Sequence, residues 1–305
     1  MPVVSVVIPL FREAGHLANS IASIVQVLES LGENFELVLV DDGSPDTTWD
    51  EIMRLKSLHP YITAIRFSRN FGKEAALAAG LDKARGAAVV VMDGDLQHPP
   101  ELIGQMLGLW REGAEVVEGV KRSRGTESAI SRLRAKLFYR IFTRLTGVDM
   151  QGASDFKLMD RRVVQAWQGM RERNLFFRGM NAWLGFTRVQ IPFDVAERAQ
   201  GQSSWSSFQL MKLALTAMTS FSTAPLYIII LMGLLFMALA LGIGVHTLYM
   251  KFSGMAVDGF TTVILLLLLV GGVVSFGLGL VGVYIARIYE EVKGRPRYII
   301  AEQID

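Results

Sequence analysis

The sequence predicts an α/β domain built on a mainly parallel sheet, followed by two helices that cross a membrane as a hairpin. Two observations support this prediction. Short apolar runs alternate with helical stretches from residue 1 to about residue 120, and two long uncharged stretches lie in the last third of the chain. The 305 residues are enough for one globular domain of about 200 residues with a smaller appendage.

Four short apolar runs have the length and composition of buried strands. They are Val3–Ile8, Phe35–Val40, Ile62–Phe67 and Ala87–Met92. Helical stretches lie between them, at Ala14–Leu31, Thr47–Ser57 and Lys73–Lys83. Strands that alternate with helices favour a sheet covered on both faces, in which ligands bind at the carboxyl ends of the strands.

The composition excludes several classes of protein. Hydrophobic residues make up 51% of the chain and the formal net charge is only +2, so bulk charge predicts no nucleic-acid partner. Cysteine is absent, which excludes disulfides and thiolate metal sites. The first apolar run lacks a basic leader and contains Pro9, so we expect a strand there and not a signal peptide.

Residues 131–146 are predicted to form a basic amphipathic helix. Cations recur at every fourth position of this segment, and apolar side chains cover the opposite arc. The cations are Arg132, Lys136, Arg140 and Arg144. This pattern is typical of a helix that lies on an anionic membrane surface. The alternative is a surface helix whose apolar stripe packs on the globular domain.

Two membrane-spanning helices are predicted near the C-terminus. Residues 213–250 contain no charged side chain, and Pro225 divides this stretch. We assign residues 202–224 to a helix along the membrane interface, because a span needs only about 20 apolar residues. Residues 225–250 and 260–286 are assigned to the two spans, which form a hairpin with both ends on one side.

Basic residues predict the orientation of the hairpin. Four cations follow the second span and two precede the first, whereas the connecting loop contains one lysine. The positive-inside rule therefore places the globular domain, residues 1–201, and the tail, residues 287–305, in the cytoplasm. We expect a multi-pass protein of the inner (plasma) membrane. Glycines crowd both spans and favour close helix contact, so we also expect a homo-oligomer.

A pair of carboxylates ends the second predicted strand, at Asp41 and Asp42. At the carboxyl end of a parallel strand, these side chains are placed to accept hydrogen bonds from a nucleobase or ribose. The alternative is a turn in which Ser44 or Asp46 caps the next helix. The two interpretations are compatible.

The fourth predicted strand ends in Asp93-Gly94-Asp95, where two carboxylates can reach one cation through a tight turn. A hard divalent ion prefers such oxygen ligands and often completes its shell with substrate phosphates. An Asp-x-Asp sequence alone occurs in many ordinary turns. Its place after a fourth strand, with a second strand that ends in Asp-Asp, favours metal and diphosphate binding.

Basic residues near these strand ends are candidates for phosphate binding. Lys121 and Arg122 follow a further strand candidate, and Arg198 precedes the membrane region. Lys73 begins a predicted helix whose first amides can face a ligand. His98 lies near the acidic turn and is a weaker candidate for ligand contact. For the basic cluster, the alternative is a solvated loop.

Six segments distributed along the chain form a specific set. They are VSVVIPLFRE at 4–13, VLVDDGSPDTT at 38–48, RNFGKEAALAAGL at 69–81, MDGDLQHPPE at 92–101, SDFKLMDR at 154–161 and ERAQGQSS at 197–204. Together they resemble the family 2 glycosyltransferases, in the branch of dolichol-phosphate mannose synthases and bacterial polyprenyl-phosphate glycosyltransferases. The resemblance covers nearly the whole chain and implies a Rossmann-like type A glycosyltransferase domain.

The resemblance also implies roles for individual residues. A nucleoside pocket would be lined by Pro9, Phe11, Glu13 and Asp41 or Asp42. A Mg²⁺ or Mn²⁺ ion would be held against the diphosphate by Asp93, Asp95 and Gln97. Phosphates would be handled by Arg122 and Arg198, and an acidic residue near the reacting centre would be Asp155.

One departure from the family pattern concerns the loop before the membrane region. Relatives commonly have Gly-x-Ser-Lys-Tyr where this chain has Gly201-Gln202-Ser203-Ser204-Trp205. The missing lysine removes one contact that the family offers to phosphate.

The expected activity is inverting transfer of a hexose from a nucleotide sugar to undecaprenyl or dolichyl phosphate, with UDP-glucose as the first choice of donor. Mannose, N-acetylhexosamine and aminoarabinose-type donors are alternatives. A processive polysaccharide synthase is a further alternative, but two spans make a poor pore and Gln168-Gly169-Met170-Arg171 is followed by Glu172, not by tryptophan. A non-catalytic membrane scaffold is disfavoured by the intact Asp93 and Asp95.

Overall fold

A computed structural model describes residues 2–121, 140, 143–144, 146–147, 153–170, 172–173, 176–194, 224–254 and 259–305. The chain divides into two compact units. The first comprises Met1–Trp205 with Arg295–Asp305, and the second comprises Ser206–Gly294. Of the predicted interfacial segments, most of 131–146 and all but the last residue of 202–224 lie outside the described residues.

The described part of the first unit contains eight strands and six helices. The strands are β1 (Val4–Leu10), β2 (Phe35–Asp41), β3 (Ile62–Phe67), β4 (Ala88–Val91), β5 (Val116–Lys121), β6 (Lys157–Asp160), β7 (Arg188–Phe193) and β8 (Ile300–Ile304). The helices are α1 (Leu17–Ser30), α2 (Thr48–Leu58), α3 (Lys73–Lys83), α4 (Leu102–Arg111), α5 (Arg161–Gln168) and α6 (Phe177–Trp183). The four strands and three helices predicted in the first 92 residues are confirmed to within a few residues.

The strands form one sheet in the order β7-β5-β6-β4-β1-β2-β3-β8. Strands β4, β1, β2 and β3 are parallel to their neighbours in this central block, and β6 runs antiparallel to β4. Chain order progresses from β1 to β3 on one side and then returns to place β4 on the other side of β1. Ligands bind at such a reversal in open α/β sheets, beyond the carboxyl ends of the strands.

Helix α3 lies directly against the centre of this sheet. Its seven residues from Ala75 to Leu81 are buried, and they include five alanines or glycines. A Cβ atom at Gly80 would lie 2.2 Å from Cγ1 of Val7 on β1. The small side chains therefore allow close packing, which fixes the N-terminus of α3 beside the strand ends.

The C-terminal tail, predicted as residues 287–305, contains a strand that the sequence analysis did not identify. Ile300–Ile304 pairs antiparallel with β3 as the edge strand of the sheet. Tyr298 precedes this strand; its hydroxyl donates to Asp82 at 2.8 Å, and its ring stacks on Phe67 with centroids 5.0 Å apart. The strand was missed because its partner lies more than 230 residues earlier and local pattern cannot report such pairing.

The described part of the second unit contains two long apolar helices, α7 (Ala224–Phe252) and α8 (Phe260–Val292). Each contains a 24-residue stretch that is long and apolar enough to cross a membrane, Ile229–Phe252 and Leu269–Val292. The helices contact each other where Gly277 faces Ile229. Helix α8 extends six residues beyond the predicted end of the second span.

A buried ion pair lies within the sheet beneath the strand ends. Lys157 on β6 and Glu118 on β5 are cross-strand partners, with Nζ and Oε1 2.8 Å apart. The two side chains are 0% and 1% exposed. Burial lowers the pKa of Lys157, and the Glu118 carboxylate opposes this effect. The pair is therefore sensitive to loss of either charge.

We predict that Lys157→Met destabilises the globular domain by roughly 3–5 kcal/mol, because the buried Glu118 would keep only the more distant Arg188, whose Nη1 lies 4.0 Å from its Oε2. The double variant Lys157→Met/Glu118→Leu should recover most of this loss, since an apolar pair of similar volume is tolerated. Denaturant unfolding of the purified full-length protein measures both effects. A single variant as stable as the original protein would contradict this account of the pair.

Candidate functional site

A cavity of about 440 Å³ opens at the carboxyl ends of β1, β2 and β4. We call it the donor cavity. Most of the predicted nucleotide-binding residues share its wall with the N-terminus of α3. The lining residues are Pro9, Leu10, Phe11, Glu13, Asp42, Asn70, Gly72, Lys73, Ala76, Asp93, Gly94 and Asp95.

Asp42 organises one side of the donor cavity. Its two carboxylate oxygens accept the backbone N–H groups of Phe71 and Gly72, at 2.6 and 2.9 Å. Burial raises the pKa of Asp42, and these two hydrogen bonds act in the opposite direction. The carboxylate thus positions the loop that leads into α3 and still faces the cavity.

Asp41, which was predicted with Asp42 as a nucleoside-binding residue, is not among the residues that line the donor cavity. Its side chain is fully buried, accepts the N–H of Ser44 at 3.0 Å and lies 3.5 Å from Nε of Arg66. Successive side chains of a strand point in opposite directions, so only one residue of an Asp-Asp pair can face the ligand.

Gly43 explains how the chain leaves β2 so sharply. Its φ is +64°, in the left-handed region that glycine adopts readily. A Cβ atom at this position would also lie 2.5 Å from the carbonyl carbon of Arg69. The close approach of two loops at the cavity edge therefore requires glycine.

The acidic turn after β4 directs two carboxylates toward the donor cavity. The carboxylate of Asp95 accepts two hydrogen bonds from Gln97, one from the backbone N–H at 3.1 Å and one from the side-chain amide at 2.6 Å. Asp93 pairs instead with the ammonium of Lys73, at 2.6 Å. Gln97 belongs to the same turn, but it is not part of the cavity wall.

A second cavity of about 350 Å³ adjoins the first, and the two share Asp93. We call it the acceptor cavity. Its walls come from the end of β5, the segment before β6 and the start of α6. The lining residues are Asp93, His98, Val120, Lys121, Ala153, Ser154, Asp155 and Arg178.

Asp155 is held between two cations in the acceptor cavity. Arg178 donates from Nε and from a terminal nitrogen to the two carboxylate oxygens, both at 2.7 Å, and Lys73 approaches to 3.2 Å. Burial alone would raise the pKa of Asp155, but Arg178 and Lys73 hold it well below the ordinary value. Asp155 is consequently an ionised carboxylate throughout the neutral range.

Two residues of this network were missed in the sequence analysis, Arg178 and Glu74. Arg178 is the single charged residue in the apolar segment 176–180, and this isolation is the one sequence feature that could have marked it as a functional residue. Glu74 accepts the N–H of Phe177 at 2.7 Å and so joins α3 to the start of α6. Burial raises the pKa of Glu74 to about 7.

His98 forms part of the floor of the acceptor cavity. Its ring is 5% exposed and stacks on Phe156 at a centroid distance of 4.9 Å. Burial lowers its pKa, which favours the neutral imidazole. Within the described part of the chain, Nδ1 has no hydrogen-bond partner.

The remaining predicted site residues divide between the cavity walls and the undescribed segments. The donor cavity is lined by Pro9, near the end of β1, and by Phe11 and Glu13, which follow this strand. The acceptor cavity is lined by Lys121, the last residue of β5. Arg122 and Arg198 lie outside the described residues.

The acidic turn fits a divalent cation that takes some of its ligands from the protein and the rest from a substrate. Among the residues that the structure describes, no group of three or more His, Asp or Glu side chains forms a complete metal site. Asp93 and Asp95 supply two carboxylates. The Lys73 ammonium on Asp93 shows that this carboxylate accepts a positively charged partner. Mg²⁺ is typically held in this way, by one or two carboxylates with phosphates and water.

Comparisons with known proteins show similarity along the whole chain. The family model described as "Glycosyl transferase family 2" matches residues 5–167. An uncharacterized glycosyltransferase of Synechocystis sp. is 37% identical over 98% of this chain and 94% of its own length. The SfII prophage-derived bactoprenol glucosyl transferase of Shigella flexneri is 36% identical over 97% of both chains.

Among solved structures, the chain is similar to mannosyl-3-phosphoglycerate synthase from Rubrobacter xylanophilus. It is 18% identical to this chain, with a TM-score of 0.48 over 70% of this chain and 71% of its own.

We predict that Glu74→Gln stabilises the protein at pH 8. The pKa of Glu74 in the folded protein, about 7, lies above the ordinary glutamate value of about 4.5, so the folded state retains the proton while the unfolded state loses it. Stability therefore falls as pH rises from about 4.5 to about 7. Glutamine keeps an oxygen for Phe177 without this loss, and the gain should be on the order of 1–2 kcal/mol.

Thermal unfolding of both proteins at pH 5 and pH 8 measures the effect. The Glu74→Gln gain should be present at pH 8 and largely absent at pH 5. An equal gain at both pH values would show that the titration of Glu74 is not its cause.

Proposed function

Since the chain belongs to glycosyl transferase family 2, we propose that it transfers glucose from UDP-glucose to a polyprenyl phosphate at the cytoplasmic face of a membrane. The supporting observation is similarity over 97% of the chain to a protein named bactoprenol glucosyl transferase. This similarity extends through α7 and α8, and so it includes the apolar helices together with the α/β domain.

The donor cavity has the residues to bind a nucleotide sugar. In this proposal Pro9, Phe11, Glu13 and Asp42 surround the nucleoside, and the acidic turn with Gln97 holds Mg²⁺ or Mn²⁺ at the diphosphate. A bound divalent cation would supply positive charge against the negative charge that develops on the leaving diphosphate. The N-terminus of α3 also faces this cavity, and the positive end of a helix favours an anion.

The acceptor cavity has cations suited to a phosphate. Lys121 and Arg178 line it directly. Arg122 follows Lys121 in the chain and, with Arg198, remains a proposed phosphate contact. Because the two cavities share Asp93, an acceptor oxygen can attack the anomeric carbon from the face opposite the diphosphate, and the bond from this carbon to the diphosphate breaks as the new bond forms. A single displacement then inverts the anomeric carbon.

The reaction needs no general base, because a phosphate monoester has a second pKa of about 6 and is mostly dianionic above pH 7. Asp155 is unsuited to proton removal, since both of its oxygens already accept hydrogen bonds from cations. We assign to Asp155 the role of orienting Arg178 and Lys73 and of stabilising positive charge that develops on the sugar.

The two apolar helices support membrane attachment of the catalytic domain. We propose that α7 and α8 cross the inner membrane, with both ends in the cytoplasm, and that residues 131–146 and 202–224 lie along its surface. A lipid acceptor then reaches the catalytic domain with its phosphate at headgroup level. The glycine-rich spans also favour a homo-oligomer.

We predict that purified protein moves radiolabel from UDP-glucose to undecaprenyl phosphate, and that Asp95→Asn slows this transfer at least about a hundredfold. The substitution keeps the side-chain shape but removes a charge from the diphosphate site. Asp50→Asn is the matched control, because Asp50 is exposed on α2 outside both cavities. Extraction of labelled lipid measures the rate.

Donors that contain mannose, N-acetylhexosamine or aminoarabinose are compared in the same assay. A faster rate with one of them would overturn glucose as the substrate. Lipid-independent polymer formation would overturn transfer to polyprenyl phosphate. Normal turnover by Asp95→Asn, with unchanged metal dependence, would overturn the assignment of the acidic turn.

We predict that Asp155→Asn lowers the rate by about tenfold or more and retains the shape of its pH dependence. In both proteins the rate should rise through about pH 6 as the acceptor phosphate loses its second proton, and then reach a plateau above pH 7. Initial rates from pH 5.5 to pH 9 measure this. A titration that is present in the original protein and absent in Asp155→Asn would identify Asp155 as a base.

A further inference from the structure

Lys73 lies at the junction of the two cavities and contacts both catalytic carboxylates. Its Nζ atom is 2.6 Å from Oδ1 of Asp93 and 3.2 Å from Oδ2 of Asp155. The three residues come from three separate segments, namely the start of α3, the turn after β4 and the segment before β6. One ammonium thus joins the residue proposed to bind metal with the residue proposed to act at the sugar.

The position of Lys73 is explained by these carboxylates and not by its own helix. It is the first residue of α3, where the partial positive charge of the helix terminus disfavours a cation. Burial also lowers the pKa of Lys73, but Asp93 and Asp155 outweigh burial and raise it. The acidic junction therefore holds a cation against two unfavourable effects.

We propose that Lys73 is a resident counter-cation, which occupies Asp93 in the metal-free protein and must release it when a divalent cation binds. This inference rests on the metal site of the proposed function. Its consequence is that Lys73 sets the metal affinity of the nucleotide-free protein.

Competition follows from the geometry of Asp93. The Lys73 ammonium is in hydrogen-bond contact with Oδ1, and a divalent ion requires a carboxylate oxygen at about 2.0–2.1 Å for Mg²⁺. Two cations at one junction also repel each other. An ion bound to either oxygen of Asp93 would lie close to this ammonium, so binding of the ion favours displacement of the ammonium.

The structure allows this release at low cost. Asp155 keeps its two hydrogen bonds to Arg178 after Lys73 leaves, so no buried carboxylate loses all of its partners. The Lys73 side chain is 41% exposed, and its ammonium is carried on a flexible four-carbon stem. It also lines the donor cavity, so the released ammonium remains beside the diphosphate.

Titration calorimetry of Mn²⁺ into the purified full-length protein, without nucleotide, tests the competition. Lys73→Gln should lower the dissociation constant of Mn²⁺ about three- to tenfold, because it removes a charge-assisted contact from Asp93. Lys121→Gln is the matched control for loss of a nearby charge. Lys121 lines the acceptor cavity with Asp93, but the described residues show no ion pair between them.

The control variant should change the Mn²⁺ dissociation constant by less than about twofold. Equal effects of Lys73→Gln and Lys121→Gln would overturn direct exchange in favour of general electrostatics. An unchanged or weaker affinity in Lys73→Gln would overturn the proposal outright.

Amine labelling gives a second readout that does not depend on affinity. Mn²⁺ should increase the rate of reductive methylation at Lys73, measured by mass spectrometry, while the rate at Lys83 stays constant. No increase at Lys73 under saturating Mn²⁺ would overturn the release.

Asp93→Asn separates failure of this inference from failure of the proposed metal site. Mn²⁺ binding that persists unchanged in Asp93→Asn would overturn the metal site and the exchange together. Binding that is lost in Asp93→Asn but is insensitive to Lys73→Gln would overturn the exchange alone.

Discussion

Negative charge converges at one edge of the sheet, and the site depends on how this charge is neutralised. Parallel strands bring their carboxyl ends together, so Asp42 and the acidic turn after β4 face the same cavity. Asp155 adds a further carboxylate from the segment that leads into β6, the antiparallel strand next to β4. Carboxylates that share a partly buried site repel each other, because the local dielectric constant is lower than that of water. Lys73 and Arg178 connect two of these groups, Asp93 and Asp155, into one ionic network.

This network also joins secondary-structure elements that are otherwise far apart. Lys73 and Glu74 lie at the start of α3, and their partners lie before β6 and at the start of α6. Packing of α3 against β1 through small residues fixes one end of these contacts. The buried pair of Lys157 and Glu118 supports the strand that follows Asp155. Rigid packing below the site thus positions long, flexible cations above it.

The arrangement suits transfer of a sugar to an acceptor that is already an anion. A hydroxyl acceptor would require a free carboxylate of suitable pKa to remove its proton. Asp155 has a depressed pKa and both oxygens engaged, whereas a phosphate acceptor requires cations and no base. The same cations that neutralise the acidic edge are therefore placed to receive phosphate groups. In this family 2 glycosyltransferase, electrostatics explains both how the acidic edge is stabilised and its proposed chemistry.

The sequence by itself determined the parallel strands, the acidic turn and the two apolar helices, because each depends on local pattern or on residues adjacent in the chain. It could not distinguish Asp41 from Asp42, since which one faces the cavity depends on the orientation of β2 in the folded sheet. It also missed β8 and the roles of Arg178 and Glu74. The Lys73–Asp155 and Glu74–Phe177 contacts span 82 and 103 residues, and β8 pairs with a strand more than 230 residues away. Such contacts leave no local periodicity, so only the tertiary structure decided which cation neutralises which carboxylate.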